Sequence, residues 1–308
     1  MEIDLPVLIM CFIRPDLLRK SLGRLANFKP PILYVVCDGP RNRNEENLCQ
    51  ESREIAMNPG WDCEIIPIFT DENYGIVTSF VGGMNRMFKE HEFGLFVEDD
   101  VLLSKSFYQF AKEMLIKYRE SKEVGHINAS NFIPEFKWEN KKESYLFSSL
   151  PHVWGFATWR RMWNLYDVNM PAWKKINQKK FLKKYFYSSR ERKSLKNLFD
   201  LHCENPNPWA CDYQWIFNCL HNNAFSITPR KNMSRNIGFD RPDSTHTKSI
   251  NPHDNELEEC DFPLSHPREI KENLKYNKAL SYKLCPPTAS VITGKIKSRF
   301  QNIFFGQK

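Results

Sequence analysis

Four short apolar segments, each of strand length and separated by helical patterns, occupy the first hundred residues of the chain. Leu5 to Ile13 is an unbroken apolar run, which suits a strand buried on both faces. Pro15-Asp16 opens a helix, because proline loses nothing at the first helical position, and Leu18, Leu22 and Leu25 share one face of it. Ile32 to Cys37 is a second strand stopped by Asp38-Gly39-Pro40, a turn sequence. Cys63 to Phe69 is a third strand and Thr78 to Phe88 a second helix, and Gly94 to Val97 is a fourth strand running into Glu98-Asp99-Asp100. This alternation of strands with helices predicts an α/β fold with a mostly parallel central sheet flanked by helices.

Composition agrees with a packed core. The chain has 308 residues, 41% hydrophobic and 26% charged, which excludes extensive disorder, collagen repeats and a disulfide miniprotein. No window approaches the ~20 consecutive apolar residues of a membrane-spanning helix. Met1 to Cys11 carries Glu2 and Asp4 where a signal peptide would be positive, and no small-residue cleavage site follows. Nine cysteines, an odd number without a CxxC pair, read as reduced thiols of a cytoplasmic protein rather than a disulfide framework. The spacing of Cys211, Cys219 and His221 matches no zinc site.

After the acidic triplet, Phe107, Phe110, Ala111, Met114, Leu115 and Tyr118 form a helical core stripe, with Ser104 or Ser106 as N-cap. Past residue 120 the alternation gives way to Trp-, Asn- and Pro-rich sequence. The formal charge of +7 is local, since Lys174 to Lys196 holds ten Lys/Arg and one acid. That segment contains Phe181, Tyr185, Phe186 and Tyr187, which would stack on bases in a nucleic-acid site, but no nucleic-acid motif accompanies it and its apolar residues fit one face of a surface helix. Ile292, Ile296, Phe300, Ile303 and Phe304 repeat at helical spacing among Lys295, Lys297 and Arg299. A basic amphipathic tail of this kind suits an anionic membrane surface, although Gly294 weakens the helix and a packing tail is the alternative.

The acidic triplet is the leading candidate for chemistry. In an open parallel sheet, ligands sit beyond the carboxyl ends of the strands, and adjacent carboxylates there need solvent or a cation. Mn²⁺ or Mg²⁺, taking oxygen ligands and bridging a diphosphate, requires only one or two of them. A solvated acidic turn capping the next helix is the plainer alternative.

Arg14-Pro15-Asp16 after the first strand, Asp38 at the end of the second, Asn73-Tyr74-Gly75 and Glu98-Asp99-Asp100 together resemble the GT-A glycosyltransferases. The likeness is to bacterial nucleotide-diphospho-sugar transferases related to N-acetylglucosaminyltransferase I. It extends through His152-Val153-Trp154-Gly155-Phe156-Ala157-Thr158-Trp159-Arg160-Arg161, Asp212-Tyr213-Gln214-Trp215, and Asn236-Ile237-Gly238-Phe239 with Thr245-His246-Thr247, spanning residues 5 to 248. The resemblance implies that Arg14 and Asp38 contact the nucleotide, Asp38 at the base, with Asp99 at the ribose and Glu98 at the donor sugar. It implies that Trp154 and Gly155 line the donor-sugar pocket, Asp100 ligates the metal with His246 near it, and Asp212 is the catalytic base. The basic residue expected after Asn73-Tyr74-Gly75 is replaced by Ile76-Val77-Thr78-Ser79.

Read by itself, Asp212 is better taken as the N-cap of an apolar helix from Tyr213 to Leu220. Likewise, Trp154, Trp159 and Trp163 are ordinary core candidates, and His246 is a surface-loop histidine.

The expected organisation is a catalytic domain over residues 1–250, with a nucleotide half to residue 100 and a donor-sugar and acceptor half beyond it, and an extension over 251–308. The expected activity is metal-dependent, inverting transfer of a sugar, hexosyl or N-acetylhexosaminyl, from a nucleoside-diphosphate donor, UDP first, to a glycan or glycolipid. The setting would be bacterial surface-polysaccharide synthesis, in the cytoplasm or at the inner membrane face. A non-catalytic sugar-binding module and a nucleotidyltransferase are the alternatives. The latter normally has a glycine-rich phosphate loop where Phe12-Ile13-Arg14-Pro15 stands.

Overall fold

The computed structural model describes residues 3–205, 210–241 and 254–285. The strands are β1 (Val7–Cys11), β2 (Ile32–Cys37), β3 (Glu64–Phe69), β4 (Phe93–Glu98), β5 (Val101–Leu103), β6 (Val124–Asn128), β7 (Tyr145–Ser148), β8 (Phe156–Trp159), β9 (Phe225–Pro229) and β10 (Ser234–Asn236). The helices are α1 (Pro15–Leu25), α2 (Glu46–Ala56), α3 (Ile76–Glu90), α4 (Phe107–Lys117), α5 (Arg160–Trp163), α6 (Pro171–Lys175), α7 (Gln178–Tyr185), α8 (Ser189–Glu204), α9 (Asp212–His221) and α10 (Leu274–Leu284).

The main sheet has the order β3-β2-β1-β4-β8-β6-β9-β7. The four strands of the amino-terminal half are parallel, whereas β8 enters antiparallel between β4 and β6. The fold is therefore the expected α/β one, with a mostly parallel central sheet and flanking helices. β1 has β2 on one side and β4 on the other, so the strand order reverses there, where open α/β sheets place their ligands.

Alternation along β1 divides the core. Val7, Ile9 and Cys11 pack with α1, α2 and α4 on one face, and Leu8 and Met10 pack with α3, α5 and α9 on the other. Phe107, Phe110 and Leu115 are fully buried, each contributing about 1.5–3 kcal/mol through burial. A third core joins α6 to α10. Residues 254–285, beyond the expected boundary, are tied into it, with Asn273 N donating to Phe147 O at 2.8 Å and Ser148 Oγ to Asn277 Oδ1 at 2.7 Å.

Several local expectations change. Neither Ser104 nor Ser106 caps α4 through its hydroxyl; the Glu259 carboxylate accepts from Lys105 N and Ser106 N at 3.2 and 2.8 Å instead. The basic segment is not one surface helix but parts of α6, α7 and α8, and Tyr185 and Phe186 are buried in the third core, out of reach of any base. Trp159 and Trp163 are buried, their indole N–H groups held by Leu115 O and Asn85 Oδ1. The tail beyond residue 290 and His246 lie outside the described residues. Among the described residues no helix is long and apolar enough to cross a membrane.

Candidate active site

Arg14 leaves the end of β1 and meets the acids at the end of β4. Its Nη1 donates to Asp100 Oδ2 at 2.8 Å and its Nε to Asp99 Oδ2 at 3.4 Å, while Nη2 pairs with Asp99 Oδ1. Asp99 and Asp100 are buried, so the guanidinium supplies the cation that adjacent carboxylates need. Burial nevertheless pushes Asp99 up to about 7, with Arg14 pulling against it and Asp100 adding to it. Burial, then the charges of Asp100 and Asp212, raises Glu98 well above the ordinary carboxylate range.

These upward shifts fix a sign for stability. A carboxyl protonated more readily folded than unfolded stabilises the fold fully at low pH and loses that contribution as pH rises through its folded value. The salt-bridged carboxylates, Glu45 and Asp254 among them, are shifted downward and finish titrating at lower pH. The urea midpoint should therefore fall between about pH 5 and 7, and Asp99→Asn should flatten that slope. A midpoint that rises over this interval would contradict the burial of the cluster.

A cavity of about 270 Å³ opens at the carboxyl ends of β1, β2 and β4, with Arg14, Asp38, Arg41, Ser79, Glu98 and Asp99 on its walls. Asp38 is committed to its own loop. Oδ1 accepts from Gly39 N, Thr70 Oγ1 and Tyr74 N at 2.9–3.0 Å, and Oδ2 from Gly75 N at 2.7 Å. Its carboxylate thereby fixes the turn that delivers the amino end of α3, with Ser79, to the cavity. Arg41 was not singled out in the sequence because it stands among turn residues. It reaches this wall lying 5.2 Å from the centre of the Phe12 ring, with its guanidinium paired to the Glu45 carboxylate.

Asp212 and Trp154 line a different cavity, about 370 Å³, with His152, Glu191 and Tyr213. Asp212 is the first residue of α9, Cys211 is the N-cap position, and no side chain caps the helix. The helix-cap reading of Asp212 therefore gives way. Burial raises its carboxyl to about 6 against the pull of the Cys211 thiol, with the charge of Asp100 adding a smaller push. The Trp154 ring stands edge-on to Phe132 and Phe239 at 5.0 and 5.6 Å. Gly155 turns at φ +75°, and a Cβ there would lie 2.6 Å from Leu103 Cδ2, so only glycine suits the corner.

The late motif folds back onto the triplet. Asn236 Nδ2 donates to Asp100 Oδ1 at 3.3 Å and Ile237 N to Asp100 O at 2.8 Å. A Cβ on Gly238 would stand 2.2 Å from Asp100 Oδ2, so a side chain there would crowd the oxygen that accepts from Arg14 Nη1. A hard divalent ion needs as little as one carboxylate, completing its shell with water and phosphate oxygens, and Asp100 can supply that carboxylate where the ion displaces Arg14 from Oδ2. Among the described residues no group of three ligating side chains converges.

His126, passed over in the sequence, knits two motifs together. Trp215 Nε1 donates to its Nδ1 at 3.0 Å, so Nε2 carries the proton and donates to His152 O at 2.9 Å. Burial holds it down to about 3, and it stays neutral as a spacer between the β8 approach and α9.

No family model and no curated protein matches the chain. Parts of solved structures are similar. S. aureus TarS superposes with a TM-score of 0.38 at 13% identity, covering 54% of this chain and 30% of that one. A mannosyltransferase from Pyrobaculum calidifontis, in complex with GDP-Man and Mn²⁺, gives 0.36 at 14% identity, over 52% and 46%. UDP-glucose pyrophosphorylase complexed with UDP-glucose gives 0.31 at 10%, over 53% and 79%. The match spans less than half the length of the first two, and at this level the likeness is one of strand and helix arrangement.

Proposed function

We propose that the chain is a GT-A-type glycosyltransferase that moves a sugar from a nucleoside diphosphate, UDP first, to a glycan hydroxyl with inversion at the anomeric carbon. The observation that supports this best is the placement of the Arg14–Asp99–Asp100 cluster at the strand-order reversal, where Asp100 also influences the carboxyl of Asp212 in the neighbouring cavity.

On this reading the nucleotide enters the first cavity. Asp38 shapes its base end by holding the Thr70–Gly75 turn, and Asp99 faces the ribose. Arg14, Arg41, Ser79 and the free amides of the α3 amino end receive the diphosphate, an anion that helix amino termini favour. These groups replace the basic residue missing from Ile76-Val77-Thr78-Ser79. Asp100 would hold Mn²⁺ or Mg²⁺, which when bound neutralises charge on the leaving diphosphate, with His246 proposed nearby. Glu98, Trp154 and Gly155 enclose the sugar. Asp212 takes the proton of the acceptor hydroxyl as that oxygen attacks C1 from the side opposite the diphosphate, a role for which a carboxyl near 6 is poised at neutral pH. The relation to N-acetylglucosaminyltransferase I and a part in surface-polysaccharide synthesis rest on the sequence motifs.

Calorimetric titration with UDP, GDP, dTDP and CMP, each with Mn²⁺ and with EDTA, tests the reading. One nucleotide should bind with Mn²⁺, and binding should be lost with EDTA and in Asp100→Asn. Silence of all four under both conditions would overturn it in favour of a non-catalytic module.

A further inference from the structure

The basic segment, unused by the transfer chemistry, forms a groove. Parts of α6, α7 and α8 enclose a cavity of about 870 Å³ walled by Lys174, Lys179, Lys183, Arg192, Lys193 and Lys196, with no acid among the described residues on its walls. The groove is built rather than incidental, because Arg192 Nη1 is anchored on Phe186 O and Tyr187 O at 2.8 and 2.9 Å. Lys196 is paired with Asp200 Oδ2 at 2.6 Å, whereas Lys174, Lys179, Lys183 and Lys193 stand in solvent.

α8 is the shared wall of two cavities. Glu191, Ser194, Leu195 and Leu198 face the cavity of Asp212, whereas Arg192, Lys193 and Lys196 face the groove. The first four recur at i, i+3, i+4 and i+7, one side of a helix, so one helix thickness, about 10–12 Å, separates the two.

We infer that this groove binds a phosphate-bearing, polyanionic glycan, and that such a polymer is the acceptor, its charged stretch against α6–α8 while a hydroxyl reaches Asp212. The acceptor half of this inference rests on the transferase reading above. Charge complementarity selects a polyanion. The concave shape selects a chain over a flat bilayer, which would touch only the rims. Among the described residues no aromatic ring stands on the groove walls, so the groove lacks the stacking platforms that a nucleic-acid strand uses.

Fluorescence anisotropy of the full chain with labelled inorganic polyphosphate, standing in for the polymer's phosphodiesters, is the test. Binding should weaken steeply with salt, and the exposed triple variant Lys179→Glu, Lys183→Glu, Lys193→Glu should bind at least about tenfold more weakly with unchanged nucleotide binding. Equal binding by the variant, no binding by the parent, or tighter binding of phosphatidylglycerol vesicles or oligo-dT than of polyphosphate at matched charge would overturn the inference. Its failure is distinguishable from failure of the transferase reading, because the latter is read from the nucleotide titration, which the three lysines do not touch.

Discussion

Asp212→Asn is expected to lower sugar transfer by about 10²–10⁴-fold, the usual range for a lost general base, while donor affinity stays within about twofold. Asparagine keeps the shape and removes the proton acceptor. Asp212 opens α9 without capping it, so the substitution removes no helix-capping bond, and folding should be intact by thermal melt. Burial lifts this carboxyl to about 6, so the parent's rate should rise with pH through that value as the base ionises, and the residual rate of the variant should lack that limb. Transfer measured by release of nucleoside diphosphate across pH 5–8 reads both features. A variant that transfers at the parent rate would remove Asp212 from the chemistry. A variant that loses donor binding as well would make it a donor-site residue.

The amino-terminal half was legible because its signals are local. β2 keeps the expected ends, Ile32 and Cys37, since a buried strand is a continuous apolar run closed by turn residues. The run from Leu5 to Ile13 contracts to Val7–Cys11, its flanks packing outside the strand, although Pro6 O still accepts from Leu95 N. β5 and β10, three residues each, are paired only with one another across more than a hundred residues, and nothing local in the sequence marks such a partner. The same distance hid the contact of Asn236 with Asp100. His126 went unread because its role is defined by Trp215 and His152, both remote in sequence. The basic segment was legible as charge and not as shape. Its lysines alone do not reveal that one helix divides a groove from the cavity of Asp212.

Arg14→Met should be the most destabilising substitution in the site. Removing one partner of a buried ion pair leaves the other uncompensated, at a cost of about 3–5 kcal/mol. Here one guanidinium serves both Asp99 and Asp100. Arg14 is the group that pulls the Asp99 carboxyl down against burial, so its loss raises that carboxyl further. Linkage then fixes the pH dependence, since a carboxyl raised further in the fold costs nothing while it is protonated in both states and costs progressively more as pH climbs above its unfolded value. Urea midpoints of parent and Arg14→Met should therefore nearly coincide at pH 4 and separate widely at pH 8, and adding Asp99→Asn to Arg14→Met should recover part of the gap. If the two proteins differ equally at both pH values, Arg14 acts through packing alone. If Asp99→Asn recovers nothing, Asp100 is its essential partner. Only the coupled result, a gap that opens with pH and closes with the second substitution, makes Arg14 the resident countercharge that keeps two acids at the mouth of the nucleotide cavity.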